Sequence, residues 1–373
     1  MMTKNAPKFF IRRILCELVT VCTHLSYCRA TASVAVFKVG RRSVCPTTSR
    51  MAKSVAIVGA GVSGLTCGVF FAEHGFQTAI FTEQIGQQTT SGAAAALWFP
   101  YDAGPADKMI PWALATYKVL VDLIKDSRTG VSMIELRQYS RAGEISIPDW
   151  AHPFVMSTSP SVISSEAETS LDISACAFSS GFSLNVPLMD TTIYLDYLAD
   201  RFQKAGGAIN EGVHFEKLED VDLKFGVVIN CAGIGARDLV HDVDLEPHRG
   251  QVAIVPKVDN LNCAIVCDDA PLMYAIPRTN DCVFGGTNEI SDNLDVDPAS
   301  TSRIVAECSC VLEIKNPRVL NERVGLRPFR KSGVRLEREK LPDSRTVIHN
   351  YGHGGSGFTL SWGCAENVFT IAN

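Results

Sequence analysis

A glycine-rich hexapeptide carries the clearest chemical signal in the chain. Residues 59–64 read Gly-Ala-Gly-Val-Ser-Gly, and such a turn at the start of a helix offers backbone N–H groups and partial positive charge to phosphates. In this pattern Gly59 permits the tight turn, Gly61 lets the backbone approach a pyrophosphate, and Gly64 allows close packing of helix and strand. The hexapeptide therefore predicts the phosphate-binding turn of a dinucleotide site.

One carboxylate completes this candidate nucleotide site. Glu83 follows Gly64 by 19 residues, at the end of the next apolar run, where a carboxylate accepts hydrogen bonds from ribose hydroxyls. An acidic residue there argues against a 2′-phosphate and hence against NADP. The motif alone leaves NAD and FAD open.

The elements that must position these residues are evident in the flanking sequence. Residues 54–58, Ser-Val-Ala-Ile-Val, are typical of a buried parallel strand. Apolar spacing predicts a helix over about 62–74, ended by Gly75, and a second strand over 77–81. Strand, turn, helix and strand thus form the compact unit that the motif requires.

Similar patterns continue along the chain. Expected helices cover about 106–125 and 192–205 and a short stretch from about Thr359, and expected strands cover 225–231, 252–255, 282–284 and 346–350. Pro111 should break or reset the start of the first of these helices, and Gly206-Gly207 should close the second. Because buried-strand patterns occur near both ends, we predict domains that are discontinuous in sequence.

Charge separates two parts of the chain. The 373 residues are 46% apolar with a net charge of −5, which predicts one large enzyme fold or two domains and no nucleic-acid partner. Residues 1–50 hold nine Lys or Arg and one acid, so subtracting their +8 from −5 leaves −13 for the rest. We interpret residues 1–50 as a basic leader or transit-like extension, with a signal peptide and a leader upstream of Met51 as open alternatives.

Cysteine usage predicts reduced thiols. The chain has 13 cysteines, which are scattered and include no pair of C-x-x-C motifs, so a zinc ribbon is disfavoured. His349 and His353 are four residues apart, but they fall across a strand end and a glycine loop, so no metal site is predicted.

Several further segments, in order, resemble the D-amino-acid oxidase family, which includes D-aspartate oxidases. They are residues 55–64, 89–101, 228–233, 249–251, 274–277, 285–287, 325–330, 334–337, 349–357 and 362–363. The most specific reads His-Asn-Tyr-Gly-His-Gly-Gly-Ser-Gly over 349–357. The resemblance covers nearly all of residues 52–366 and implies an α/β fold: a doubly wound FAD-binding domain with a second, mainly antiparallel substrate domain.

The resemblance also implies a division of the chain and a set of cofactor-binding residues. The FAD-binding domain would comprise 51–105, 190–240 and 325–373, and the substrate domain 106–189 and 241–324. The residues implied to hold FAD are Gly59, Gly61, Gly64 and Glu83 at its ADP part, Thr89, Thr90, Ser91, Ala95, Ala96 and Leu97 along the flavin and phosphates, Val213 near the adenine, and Gly354, Gly355, Ser356, Gly357, Phe358 and Thr359 around the flavin ring.

Three residues are implied to bind the substrate. Arg327 would clamp the substrate carboxylate with its planar guanidinium, Tyr274 would share that carboxylate, and the Gly355 carbonyl would accept from the amine. The implied activity is FAD-dependent oxidative deamination of D-amino acids to 2-oxo acids, with ammonia and hydrogen peroxide as further products. The substrates would be a D-amino acid and dioxygen, with no nucleic-acid or membrane partner; a homodimer is left open.

Departures from the family pattern bear on specificity. Ala270 stands where the vertebrate D-amino-acid oxidases have a second tyrosine, and the segment between Gly250 and Tyr274 is short. Cys267 and Asn288 stand near the positions of basic residues in D-aspartate oxidases, although Arg278 or Arg330 could compensate. Together with Phe99 near the flavin, these departures predict neutral D-amino acids as substrates.

Rival functions stay open at this point. They are a D-aspartate or glycine oxidase of the same family, a flavin-binding protein without turnover, and an NAD-dependent dehydrogenase. The chain shows no Ser-Lys-Leu-like C-terminal tripeptide, so peroxisomal import by that signal is not predicted. The default expectation is a soluble, cytoplasmic protein, with organellar import by the basic extension as the alternative.

Overall fold

The computed structural model describes residues 54–101, 103–158 and 178–373. Their strands, β1 to β15 in chain order, are Ser54–Val58, Gln77–Thr82, Val131–Ser140, Val155–Thr158, Ser180–Met189, Ala208–Glu211, Val227–Asn230, Leu245–Pro256, Cys263–Cys267, Met273–Pro277, Asp281–Gly285, Glu289–Ile290, Asn321–Arg330, Arg335–Lys340 and Thr346–Tyr351. The α-helices, α1 to α7, are Val62–Glu73, Thr90–Ala93, Ala106–Leu123, Thr191–Lys204, Ala236–Leu239, Pro298–Val311 and Gly357–Ala372. The strand–turn–helix–strand unit predicted from the glycine motif is confirmed.

The first sheet has six strands in the order β14-β15-β7-β1-β2-β6. All neighbours are parallel except β14, which joins as an antiparallel edge strand. Successive side chains of β1 enter two apolar cores: Val55 and Ile57 pack on the side of α1, and Ala56 and Val58 on the side of residues 218–225. Because both faces are covered, residues 55–58 of the strand are all apolar.

The second sheet has nine strands. Its order is β12-β8-β11-β10-β9-β3-β5-β4, and β13 also pairs with β8. All pairs are antiparallel except β3 with β9, so the expected second, mainly antiparallel region is confirmed. Since β13 pairs with β8 along its whole length, it belongs to the second sheet on both sides of the predicted boundary at residue 325. The division into two domains itself stays a prediction.

Two glycine helix ends follow the prediction. The Gly75 N–H donates to the Ala72 carbonyl at 3.0 Å and the Phe76 N–H to the Phe71 carbonyl at 3.1 Å, with Gly75 at φ +81°. This pairing requires a left-handed residue just after α1, and glycine adopts that conformation without a Cβ penalty. Gly206 ends α4 in the same way, at φ +89°.

Two details of the helices differ from the prediction. α3 continues through Pro111, because contacts further along hold it: the Trp98 indole donates to the Ala113 carbonyl at 2.9 Å, and the Gly363 N–H to Thr116 Oγ1 at 3.0 Å. Such contacts outweigh the one N–H that proline lacks. The last helix, α7, is not short: it begins at Gly357 and has 16 residues.

The thiols and the surface add two observations. All eight cysteines within the described residues have free thiols, and seven of them are buried. In the same part of the chain no helix combines the length and the apolar character needed to cross a bilayer. The predicted leader, residues 1–50, lies outside the described residues.

Candidate active site

A cavity of about 850 Å³ lies where the two sheets meet. Its walls come from the carboxyl ends of β1 and β2, the amino ends of α1 and α7, and one face of the second sheet. The volume lies near the top of the usual range for ligand pockets, about 300–1,000 Å³. A crevice at the carboxyl ends of parallel strands is where open α/β sheets bind ligands.

The glycine turn forms one end of this cavity. A Cβ on Gly59, which has φ +102°, would lie 2.5 Å from the Cys231 carbonyl oxygen, and a Cβ on Gly64 would lie 1.9 Å from the Gly59 carbonyl oxygen. Both positions therefore exclude any larger residue. Gly61 meets only the Ser91 hydroxyl, at 3.1 Å. The turn is thus a close-fitting backbone cradle, as a bound pyrophosphate requires.

Two hydroxyl groups hold the cradle in place. The Ala60 N–H donates to Thr82 Oγ1 at 3.2 Å, and the Val62 N–H donates to Ser91 Oγ at 3.0 Å. Ser91, predicted to contact FAD, therefore lies at the amino end of α1, where the helix dipole favours phosphate. Thr82 was not singled out from the sequence.

Glu83 lies at the end of β2, on the cavity wall, as predicted. Its carboxylate lies 2.8 Å from His214 Nδ1, and both side chains are about two-thirds exposed. The carboxylate raises the pKa of His214 above its ordinary value. The neighbouring Val213 also lines the cavity, and its N–H donates to the Thr82 carbonyl at 3.0 Å. Sequence reasoning missed His214, whose only signal was its position beside Val213.

The segment expected to line the flavin also lies on the cavity wall. The lining includes each of its predicted members: Thr89, Thr90, Ser91, Ala95, Ala96 and Leu97. Thr89 caps α2 by accepting from the Gly92 N–H at 3.3 Å. The Arg323 guanidinium donates to the Gly92 carbonyl at 2.8 Å and also hydrogen-bonds Gln87. Arg323, on β13, thus positions this segment, and no local motif indicated it.

The glycine loop before α7 divides its residues between two tasks. Gly354, Gly355, Gly357 and Phe358 line the cavity, at the positive end of a 16-residue helix. Ser356 and Thr359 are absent from the cavity wall and turn toward residues 99–101 instead. Ser356 Oγ accepts from the Tyr101 N–H at 2.8 Å, and Thr359 Oγ1 from the Phe99 N–H at 3.1 Å. These two hydrogen bonds join the glycine loop to Phe99 and Tyr101, which line the cavity.

Arg327 and Tyr274 meet at the other end of the cavity. The Arg327 guanidinium lies over Gly250, where a Cβ would be 2.5 Å from Nη2, and it donates to the Thr287 carbonyl at 3.0 Å and to Asn288 Oδ1 at 3.4 Å. Burial raises the pKa of Tyr274, while a hydrogen bond with Arg327 and the charge of Arg327 oppose that shift. The phenol therefore stays protonated and the guanidinium supplies the site's positive charge.

Glycine makes room for the tyrosine ring. Tyr274 pairs across strands with Gly285, and a Cβ on Gly285 would lie 2.0 Å from the ring carbon Cζ. Gly286 lies against the same ring, at 2.7 Å from Cε1 to a built Cβ. The resembling segment 285–287 is thus explained by packing under Tyr274.

The residues considered for specificity fall partly outside the cavity. Phe99 and Asn288 line it, whereas Cys267, Ala270, Arg278 and Arg330 do not. Arg278 is buried in an ion pair with Asp281 at 2.7 Å, and Arg330 pairs with Asp242 at 2.9 Å. The suggested compensation by Arg278 or Arg330 is therefore wrong, because structural carboxylates already hold both.

The two histidines considered for metal binding have separate partners. His349 lies 3.3 Å from both Asn230 and Glu339, and His353 Nε2 lies 3.1 Å from Asn350 Oδ1. Burial lowers the pKa of His353 to about 4, so its ring is neutral at pH 7. Among the described residues no group of three or more His, Cys, Asp or Glu could hold a metal ion.

Comparisons with known proteins agree with this architecture. Residues 54–369 match the family model described as FAD dependent oxidoreductase. A D-amino-acid oxidase of Rubrobacter xylanophilus is 36% identical, covering 88% of this chain and 98% of its own, and one of Streptomyces coelicolor is 35% identical, covering 86% and 96%. A glycine oxidase structure from Geobacillus kaustophilus has a TM-score of 0.70 at 17% identity, over 86% of this chain and 95% of that one. The cradle, the acidic residue after β2 and the two helix amino ends fit an FAD molecule, and the chain belongs to the FAD dependent oxidoreductase family.

Proposed function

We propose that this protein is a D-amino-acid oxidase. It converts a D-amino acid, dioxygen and water into a 2-oxo acid, ammonia and hydrogen peroxide. The observation that carries the proposal is the Arg327–Tyr274 pair, which lies in the same cavity as the dinucleotide cradle. The relatives named D-amino-acid oxidase support the same activity.

A bound FAD would supply the redox chemistry, which is two-electron oxidation of the substrate carbon with dioxygen as the final acceptor. The protein's own contribution is orientation. The Arg327 guanidinium binds both oxygens of the substrate carboxylate in a planar fork, and the protonated Tyr274 hydroxyl donates a further hydrogen bond. The Gly355 carbonyl accepts from the amine. Three fixed points define the face that the Cα–H bond presents and thereby select the D enantiomer.

The cavity also sets the electrostatics of the reaction. The amino end of α7 places partial positive charge beside residues 354–357, which would favour negative charge on a cofactor held there. His353, neutral at pH 7, adds no competing charge. We assign the deprotonation of the substrate ammonium group to solvent. The turnover rate should therefore rise with pH until the amine of the bound substrate is neutral.

The cavity disfavours substrates with acidic side chains, because Arg278 and Arg330 do not line it. Arg278 and Arg330 are held by Asp281 and Asp242, so neither can pair with a second substrate carboxylate. Burying such a carboxylate unpaired costs several kcal/mol. Neutral D-amino acids are therefore the proposed substrates, in preference to D-aspartate.

Three further expectations stay predictions: that residues 1–50 are a leader, that this leader directs localisation, and that the protein forms a homodimer.

Anaerobic bleaching of the flavin band tests the proposal. Purified protein should be yellow, and D-alanine and D-norleucine should bleach it faster than glycine or D-aspartate, with peroxide formed when air is admitted. Fastest bleaching by D-aspartate would overturn the substrate assignment. If the protein is yellow but no D-amino acid bleaches it, the protein binds flavin without catalysing turnover.

A further inference from the structure

The Arg327 side chain spans the width of the neighbouring strand. Because β13 occupies one edge of β8 over residues 245–254, β11 and β12 share the other edge. The guanidinium starts from β13, lies over Gly250 of β8, and donates to the carbonyl of Thr287, which lies between β11 and β12. The far edge of β8 therefore holds the tip of this side chain.

An extra residue interrupts the pairing along that far edge. The two pairs that flank the interruption are Gly285 with Val252 and Glu289 with Arg249. Three residues, 286–288, thus stand opposite two, 250 and 251. Such a one-residue bulge changes the direction in which backbone and side-chain groups point. Here the Thr287 carbonyl and Asn288 Oδ1 both accept from Arg327 Nη1, at 3.0 and 3.4 Å.

The Thr287 hydroxyl joins this bulge to β8. Its Oγ1 accepts from the Gln251 N–H at 2.8 Å and donates to the Arg249 carbonyl at 3.4 Å. The side chain therefore replaces backbone hydrogen bonds that the bulge interrupts. Thr287 is only 3% exposed, and a buried N–H without an acceptor is costly. The hydroxyl thus fixes the position of the carbonyl of the same residue.

The part of β8 that holds Thr287 is itself anchored. Arg249 and Gln251 are buried, and their side chains leave β8 on the face opposite to Gly250. The Gln251 amide donates to the Asp297 carbonyl at 2.8 Å and accepts from the Asp297 N–H at 2.9 Å. The Arg249 guanidinium donates to Gln251 Oε1 and to the Asn293 carbonyl, both at 2.8 Å. Thr287 is therefore bound to a rigid support.

We propose that Thr287 is a positioning residue for recognition of the substrate carboxylate. Its hydroxyl fixes the bulge, its carbonyl holds Nη1 of Arg327, and the guanidinium held in this way binds the carboxylate. Arginine has a long and flexible side chain, so a fixed acceptor at its tip reduces the freedom lost when substrate binds. This inference rests on the proposed function and extends it to a residue that acts through Arg327.

Thr287→Val tests the proposal in the purified, FAD-loaded protein. The variant keeps the shape of the side chain, removes the hydroxyl and leaves the Gln251 N–H unpaired. The KM for D-alanine should rise about three- to tenfold, because part of the hydrogen bonding of a charged group is lost. Since the loss is one of binding, kcat should change less than KM.

A carboxylate without an amine measures the same effect without turnover. The probe is propanoate, and its dissociation constant is read from the change that it causes in the flavin absorption. This constant should rise in Thr287→Val by the same factor as the KM. Thr287→Ser keeps the hydroxyl and should retain both wild-type values. Thr287→Ala lacks the hydroxyl and is the second variant, should Thr287→Val fail to fold.

Two comparisons separate positioning from a loss of stability. Thr129 is also buried, and its Oγ1 accepts from the Val131 N–H at 3.2 Å and donates to the Leu123 carbonyl at 3.0 Å, outside the cavity wall. Thr129→Val should therefore lower the unfolding temperature but change neither the KM nor propanoate binding. In an Arg327→Ala background, Thr287→Val should cause no further loss of kcat/KM, because it acts through the guanidinium.

The outcomes bear on different statements. If the folded Thr287→Val and Thr287→Ala variants keep the wild-type KM and propanoate binding, or if Thr129→Val raises both equally, the role of Thr287 is overturned and the proposed function stands. If the yellow wild-type protein does not oxidise D-alanine or any other D-amino acid, the proposed function fails. Propanoate binding then still shows whether Thr287 positions Arg327.

Discussion

The two ends of the cavity are built from different materials. The nucleotide end is formed mainly by backbone groups. Gly59 and Gly64 leave no space for a Cβ, and the hydroxyls of Thr82 and Ser91 accept hydrogen bonds from N–H groups of the turn. The substrate end is formed by side chains from separate strands, with Arg327 lying over Gly250 and Tyr274 over Gly285. Both ends contain glycines that leave no space for a Cβ, but the first end presents backbone groups and the second presents side chains that single substitutions can remove.

Mutations at the two ends should therefore have different effects. A change at the nucleotide end should show as loss of FAD and of stability. A change at the substrate end should leave a yellow protein with altered kinetics. If cofactor retention and substrate kinetics did not separate between variants of the two ends, the distinction between them would be wrong.

The largest effect is expected from Arg327→Ala. Removing the guanidinium leaves the substrate carboxylate without its charged partner, a loss of about 2–5 kcal/mol, or roughly 30- to 5,000-fold in kcat/KM. Steady-state kinetics with D-alanine would measure it, while the flavin absorbance should remain. Arg318→Ala, at an exposed residue away from the cavity, is the matched control. Unchanged kinetics in Arg327→Ala would remove this residue from the site.

Gly64→Ala should affect the cofactor instead. The added Cβ would lie 1.9 Å from the Gly59 carbonyl oxygen, so the turn must shift, at a cost of about 1–3 kcal/mol. We expect FAD affinity to fall by about tenfold or more, measured by flavin fluorescence on dilution. Gly226→Ala is the control, because nothing lies within 4 Å of its built Cβ. Equal FAD retention in both variants would contradict a close-fitting cradle.

Tyr274→Phe should produce a smaller kinetic change. The ring keeps its packing on Gly285, and only the hydroxyl is lost, so about 1.5 kcal/mol, or roughly tenfold, is expected for a hydrogen bond to a carboxylate. The increase should appear in KM for D-alanine, with FAD retained. Tyr117→Phe, outside the cavity wall, should change neither. A loss of FAD in Tyr274→Phe would contradict the separation of cofactor binding at one end from substrate binding at the other.

The smallest effect concerns the exposed pair of Glu83 and His214. Because the carboxylate raises the pKa of His214, the attraction is fully present below pH 6.5 and is lost as pH rises through the higher folded value. Glu83→Gln should therefore lower the pKa of His214, which proton NMR titration of the imidazole would follow. Glu216→Gln, at a nearby carboxylate with a lesser influence, should lower it less.

The strand, turn and helix at the nucleotide end could be predicted from the sequence because they are adjacent along the chain. The apolar run of β1, the turn and α1 form one continuous stretch, and their spacing is enough to predict their geometry. The glycine ends of α1 and α4 were equally local. Pro111 was misjudged because its helix depends on Trp98 and Gly363, which are distant in sequence.

The substrate end could be approached only through family resemblance. Its wall depends on the order of strands β8, β11, β10 and β9, which no periodicity reveals. Arg323 escaped notice because its partners, Gln87 and Gly92, lie on a different part of the chain.

The position of α7 has a consequence for the protein during its synthesis. The cradle at residues 59–64 is made first, but α7 packs against α1 and brings residues 354–358 to the cavity only after the intervening residues 65–353 have been made. A chain still on the ribosome therefore presents half a cofactor site. Flavin binding that uses both parts of the wall therefore has to await α7, and FAD would stabilise the folded molecule rather than guide the shorter nascent chain.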